Sequence, residues 1–285
     1  MIKNIILCIA IWLMAMPLST QAQEDFPYPS VPIELTAPEE RADFVIRHYW
    51  DNIDFNDTTL IHQSKSLEQG FVNFIDLLPR LPHLEKVGLQ TFCRKAFGNN
   101  AAYDKYLKQL AEQYLYTPAS PMHNDTLYAH LLEELNTLPS TTEAEREQNR
   151  FLITGLNKNK VGDVATDFEY TDAQGKMQRL SEAHTPYIIV YFYDPDCETC
   201  QEVEKQMAQE PLLKESASAY ENKNRPSDSN KITLIKVNAM ERKELWKDYY
   251  FRSFPTLYLL DKDKKVVLKD VELAKIISFL AEHTR

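Results

Sequence analysis

Apolar residues recur at helical spacing through the first half of the chain and change to strand-like runs in the second. From Glu39 onward, Phe44, Val45, Tyr49, Trp50 and Ile53 return at short intervals, with Glu39, Glu40, Arg41 and Asp43 in the opening turn. Leu67 to Leu81 and Leu84 to Phe97 repeat the pattern, separated by Pro79 and Pro82, which do not fit a helix interior. Asn100 to Tyr116 carries Tyr103, Tyr106, Leu107, Leu110 and Leu115 on one stripe. Asn124 to Leu135 opens on Asn124 or Asp125 as a cap, and Thr142 to Leu156 completes the set. About five or six helices joined by short breaks predict an all-α domain, spanning residues 39–156. Ahead of it, 23–38 is polar and holds Pro27, Pro29, Pro32 and Pro38, which predicts an extended lead-in.

After the polar joint Asn157 to Lys160 the period changes. Thr166 to Tyr170 and Lys176 to Leu180 flank Asp172-Ala173-Gln174-Gly175, a hairpin signal. Tyr187 to Tyr193 is an unbroken run of aromatic and β-branched residues and predicts a strand buried on both faces. Asp194-Pro195-Asp196 ends it, because Pro195 has no N–H for a ladder. Cys197 and Cys200 then open a polar segment with good helix propensity, running toward Leu213 and Tyr220 with a bend at Pro211. Glu221 to Asn230 reads as a solvated loop, Lys231 to Val237 as a strand and Glu241 to Tyr250 as a helix. Pro255 to Leu260 and Lys265 to Lys269 form a second hairpin signal, and Val271 to His283 a closing helix. The prediction for 161–285 is therefore an α/β domain with a mixed central sheet and helices on both sides. The chain is expected to have two domains, the all-α one first.

Composition changes this picture at the amino terminus. Met1-Ile2-Lys3, the apolar stretch Asn4 to Met16 and the small residues of Thr20-Gln21-Ala22 have the form of a secretory signal peptide over 1–22. An uncleaved anchor is the alternative. Loss of the leader removes Lys3 and takes the formal charge of the 285-residue chain from −10 to −11. So acidic a chain is ill suited to nucleic acid or an anionic membrane, and no later stretch is long and apolar enough to span a bilayer. Cys93, Cys197 and Cys200 remain of four cysteines, too few for a disulfide-stapled scaffold. Cys93, beside Phe92, reads as a small buried hydrophobe. His48-Tyr49-Trp50-Asp51 admits a ligand groove or plain aromatic packing, and packing is the simpler reading.

A pair spaced Cys-x-x-Cys at the start of a helix has specific chemistry. Both sulfurs fall on one face of the first turn, within reach of a disulfide. The unpaired N–H groups there favour a thiolate on Cys197. Asp194, Asp196, Glu198 and Glu202 oppose this, since nearby negative charge disfavours the thiolate. They predict a thiol of ordinary acidity and a reducing poise; equally, they could serve only to favour the helix start. Zinc lacks a second ligand pair at suitable spacing, and with no glycine after Gly175 there is no phosphate-cradling loop beyond it. Neither a metal nor a cofactor is expected.

Residues 161–285 resemble the thioredoxin fold, and within it the extracytoplasmic TlpA/ResA-like thiol–disulfide oxidoreductases. The resemblance rests on Val161-Gly162-Asp163 through Phe168, Tyr187 to Cys200, Lys231 to Asn238, and Arg252-Ser253-Phe254-Pro255-Thr256-Leu257, in that order. It implies that Cys197 attacks and Cys200 resolves. It further implies that Pro255 is cis, and that Phe254, Pro255 and Thr256 meet an extended substrate segment. Asp194, Asp196, Glu198 and Lys236 are the residues expected to tune the site, Lys236 matching a lysine beneath the dithiol in many thioredoxins. Three positions depart from the family. Asp196 replaces its tryptophan, and Tyr191 and Val203 stand where it places acids that accept protons. The helical half resembles poorly characterised domains that precede such modules in bacterial envelope proteins. The expected function is a periplasmic thiol–disulfide oxidoreductase in the reductase or isomerase direction, its helical domain docking clients or partners. Its partners would be disulfide-bearing envelope proteins or peptides and an envelope thiol protein that supplies electrons. The alternative is a catalytically weak binding or scaffold protein of the envelope.

Overall fold

The computed structural model describes residues 26–284, apart from 59–60, 62–63, 173–174 and 214–231. The predicted leader, the first residues of the lead-in, Tyr220 and the loop 221–230 lie outside the described residues.

Helices α1 (Pro38–His48), α2 (Ser64–Leu77), α3 (Glu85–Ala96), α4 (Ala101–Ala111), α5 (Asp125–Asn136) and α6 (Glu143–Leu156) build the amino-terminal region. Three of these helices, α4, α5 and α6, start at side-chain caps. Asn100 accepts from the Ala102 N–H and Asn124 from the Leu127 N–H, while Thr142 and Glu145 form a reciprocal capping box. The stripe predicted as one helix to Tyr116 changes form: Glu112–Tyr116 is a π turn, ended where Pro118 biases Thr117 to extended backbone. Tyr49 and Trp50 lie in the turn after α1 and are buried among Phe74 and Phe92, so the aromatic segment packs the core. The lead-in does more than its prolines suggested. Phe26 is buried against Gly70, where a Cβ would stand only 2.0 Å from a ring carbon. Cys93 is a buried core residue of α3.

Strands β1 (Glu169–Thr171) and β2 (Met177–Arg179) pair only with each other, outside the central sheet. That sheet joins β3 (Tyr187–Tyr193), β4 (Ile232–Asn238), β5 (Thr256–Asp261) and β6 (Val266–Lys269) in the order β4-β3-β5-β6. β3 runs parallel to β4 and antiparallel to β5, so the sheet is mixed. Helices α7 (Glu198–Gln209) and α8 (Leu273–His283) cover one face, packing Met207, Ile276 and Leu280 over Ile189, Leu257 and Leu259.

The expectation of helices on both sides is corrected among the described residues. The opposite face, with Val190, Phe192 and Tyr258, is covered by Phe168 and Tyr170 and by Leu245 and Tyr249. Leu245 belongs to a 3-10 turn, Lys243–Lys247, in place of the helix predicted over Glu241 to Tyr250. Consecutive aromatics explain the difference. Tyr249 enters this core while Tyr250 reaches the helical region over Gly155, and a continued helix cannot serve both anchors. α7 likewise stops at Gln209, just before Pro211, and residues 211–213 resume helical backbone. No helix among the described residues is long and apolar enough to cross a membrane.

Candidate functional site

Strand direction brings two distant segments together. Because β3 and β5 are antiparallel, with Phe192 opposite Thr256, the chain leaving β3 and the chain entering β5 lie at the same edge of the sheet. The first carries Asp194 to Cys200 and the second carries Ser253 to Thr256.

Asp194 forms the turn. Its carboxylate accepts from the Asp196 N–H at 2.9 Å and its carbonyl from the Cys197 N–H at 3.2 Å. Expected to tune the thiol electrostatically, it is first a piece of turn geometry. Cys197 is then the N-cap of α7, with its Sγ accepting from the Cys200 N–H at 3.2 Å. The sulfur takes the place a serine or aspartate oxygen usually fills, and an N–H aimed at it favours negative charge there. Cys197 is half-buried, whereas Cys200 is 2 % exposed. Both are free thiols. Burial and the hydrogen bond with Cys197 push the Cys200 thiol up to about 11. Asp196 and Glu198 are exposed at the helix start.

Across the gap, Cys197 Sγ donates to the carbonyl oxygen of Phe254 at 3.5 Å, and the Phe254–Pro255 peptide bond is cis. Phe251 and Trp246 stand beside Phe254, with ring centroids 5.6 Å and 6.1 Å from it. Trp246 is 42 % exposed. This tryptophan has no signal in the sequence pattern, because it comes from the turn between β4 and β5 instead of the position before Cys197. Thr256 does not present its side chain to a substrate. It is fully buried and its hydroxyl donates to the Ser253 carbonyl at 2.7 Å.

Lys236 also differs from expectation. It is exposed on β4 and pairs with Glu204 of α7 at 3.1 Å, with no hydrogen bond to either thiol. Tyr191, where the family places an acid, is fully buried, and its hydroxyl donates to the Cys200 carbonyl at 2.9 Å. Burial first, then the nearby Cys200 and Glu204, raise its ionisation far above the ordinary tyrosine range, so it stays a neutral donor. Val203 is half-buried on α7 among the apolar residues. Among the described residues no group of three potential metal ligands is present.

Comparison with known proteins bears on both halves. Residues 14–159 match the family described as Domain of unknown function (DUF5106), and residues 171–282 match Thioredoxin. A thioredoxin-like protein from Bacteroides caccae is 30% identical over 90% of this chain and 98% of its own, with a TM-score of 0.66. The C-terminal domain of an uncharacterized protein from Bacteroides fragilis is 27% identical over 43% of this chain and 98% of its own, with a TM-score of 0.34. The thioredoxin domain of a thiol-disulfide oxidoreductase from Bacteroides vulgatus is 17% identical over 44% of this chain and 98% of its own, with a TM-score of 0.33. No curated protein matches the chain.

Proposed function

Because the chain belongs to the DUF5106 family and to the thioredoxin-like proteins, we propose that it is a thiol–disulfide oxidoreductase working as a reductase or isomerase. The observation that carries this reading is Cys197 itself: a half-buried thiol at a helix N-cap, facing the Phe254 carbonyl, with Cys200 buried behind it.

The chemistry is a pair of exchanges. Cys197, as thiolate, attacks one sulfur of a client disulfide; a bond forms to Cys197 Sγ, the client S–S bond breaks, and the other client sulfur leaves and takes a proton. Cys200 then loses its proton and attacks Cys197 Sγ, forming the Cys197–Cys200 disulfide and releasing the second client thiol. Two electrons and two protons pass from the protein to the client. A dithiol donor of the cell envelope restores the reduced pair. Phe254 and Pro255 supply backbone beside Cys197 for an extended client segment, and Trp246, Phe251 and Phe254 add an aromatic floor. Asp196 and Glu198 lie exposed at the helix start, and their negative charge near the thiol is what supports the reducing direction. The signal-peptide-like pattern of residues 1–22 supports a periplasmic setting, with disulfide-bearing envelope proteins as the proposed client class.

One observation favours the second reading, a catalytically weak binding protein. Neutral Tyr191 and apolar Val203 occupy the positions of the family's proton acceptors, and Glu204 is paired with Lys236. Reduction of insulin by the full chain with dithiothreitol decides between the two readings. Turnover that disappears in Cys197→Ser supports the enzyme; no turnover in the unaltered chain supports the binding protein.

A further inference from the structure

Arg252 lies two residues before Phe254, and its side chain is 6% exposed. Both Nη atoms of the guanidinium are hydrogen-bonded, and Nε stands in ion-pair contact without a hydrogen bond. Nη2 is 2.5 Å from Asp125 Oδ1 at the start of α5, Nε pairs with Asp270 Oδ2, and Nη1 donates to the Tyr116 carbonyl. The guanidinium carbon also rests 4.2 Å from the centroid of the Tyr116 ring. Asp125 and Tyr116 both belong to the helical region.

The network extends on either side. Lys269, its side chain 2% exposed, stands 3.2 Å from Asp125 Oδ2 and donates to the carbonyls of Leu156 at 2.7 Å and Lys158 at 3.0 Å. His123 Nε2 is 3.0 Å from Asp125 Oδ1. Tyr250 and Tyr116 share a hydroxyl–hydroxyl hydrogen bond of 2.9 Å, and the Tyr250 ring fits over Gly155 because that residue has no Cβ. Burial alone would raise the Asp125 carboxyl, but His123, Arg252 and Lys269 hold it well below the usual carboxylate range.

Two carboxylates thus face the Arg252 guanidinium and the Lys269 amine in a buried interface, where burial pushes the Lys269 amine down and the Asp270 carboxyl up. For adhesion alone, apolar side chains of the same volume would serve as well or better, because each buried ion loses its hydration. What the ions add is geometry: each must keep all its partners, so the network stabilises one arrangement. The segment so fixed, Tyr250 to Arg252, leads directly to Ser253 and Phe254, whose carbonyl faces Cys197 at 3.5 Å.

Building on the dithiol reading above, we infer that Arg252 is a positioning residue through which Asp125 and Tyr116 of the helical region hold the Phe254–Pro255 backbone at the level where a polypeptide client meets Cys197. The helical region then sets affinity for protein disulfides without touching either thiol. A small disulfide, which has no backbone to pair with Phe254, is indifferent to it.

The test compares two substrates on the full chain carrying Asp125→Asn. One is insulin, followed in steady state with dithiothreitol; the other is dithiodipyridine, followed in a single turnover of the pre-reduced protein. The KM for insulin rises about five-fold with kcat within about two-fold, and the dithiodipyridine rate is unchanged. Tyr250→Phe removes one hydroxyl from the same interface and decides the matter should Asp125→Asn not fold; it raises the insulin KM about two-fold. An unchanged insulin KM in the variants overturns the inference. So does a parallel loss on both substrates, which means that the network supports only the fold. An unaltered chain inactive on both substrates instead overturns the dithiol reading itself, and the inference with it.

Discussion

Cys197 Sγ and the Phe254 carbonyl oxygen are 3.5 Å apart, although 57 residues separate them in sequence. Antiparallel pairing of β3 with β5 makes this contact inevitable once the register Phe192–Thr256 is set. A thiol at a helix N-terminus and a strip of backbone therefore share one opening, which is the geometry a thiol needs to meet a disulfide held in an extended chain.

Exposure separates the three thiols. Cys200 is 2% and Cys93 1% exposed, and burial raises both. Iodoacetamide at neutral pH is expected to label Cys197 of the folded, reduced protein and to spare the other two until denaturant is added. Peptide mapping by mass spectrometry reads this directly, and equal labelling of Cys197 and Cys200 would contradict it.

The second exchange depends on Cys200 losing its proton. With that thiol pushed up to about 11 by burial and by Cys197, little thiolate exists at pH 7. Burial still raises that thiol when Cys197 is in a mixed disulfide, so resolution is expected to accelerate as pH rises above about 7. Quenched-flow measurement of the mixed disulfide's lifetime checks this; a rate flat across that range sinks it.

The same shift has a stability consequence of definite sign. A folded-state pKa of about 11 lies above the unfolded thiol, whose ordinary value is about 8.5. The contribution is therefore complete below about pH 8.5 and is lost as pH rises through the folded value. Urea denaturation of the reduced protein should show this decline above about pH 8.5, and Cys200→Ser should remove that part of it.

Much of the site was legible in the chain. Seven apolar residues followed by Asp-Pro-Asp and a Cys-x-x-Cys could only be a strand, a turn and a thiol-bearing helix, and β3 runs from Tyr187 to Tyr193 as expected. Local chemistry also offered Asn124 or Asp125 as a cap, and Asn124 takes that place. What stayed hidden depends on partners far away in sequence. Arg252 looks like an ordinary charge until Asp125, 127 residues earlier, is placed beside it. Lys236 was assigned by likeness to a position under the dithiol, but on edge strand β4 it is free to reach Glu204 instead. Phe26 was hidden by the prolines around it.

Gly155 gives a separate handle on the contact between the two regions. A Cβ there would stand 2.5 Å from a ring carbon of Tyr250, so Gly155→Ala must displace the ring. Overpacking of this kind costs about 1–3 kcal/mol, partly offset by the better helix propensity of alanine. Chemical denaturation should show a net loss, and a gain in stability would mean that Tyr250 is not seated on α6.

Tyr191→Phe isolates one buried hydrogen bond. Its hydroxyl donates to the Cys200 carbonyl at 2.9 Å and the residue is fully buried. Loss of the bond is expected to lower stability by about 0.5–1.5 kcal/mol, read as a shift of the urea midpoint at constant slope.

The equilibrium reduction potential of the Cys197–Cys200 pair tests the central claim most directly. It is measured on the full chain against a dithiothreitol series. A disulfide that forms, with a potential near or below about −270 mV, is the predicted result and makes the chain a reductase in need of an electron donor. A potential near about −120 mV would reverse the direction of exchange, and a pair that forms no disulfide would leave the chain a binding protein.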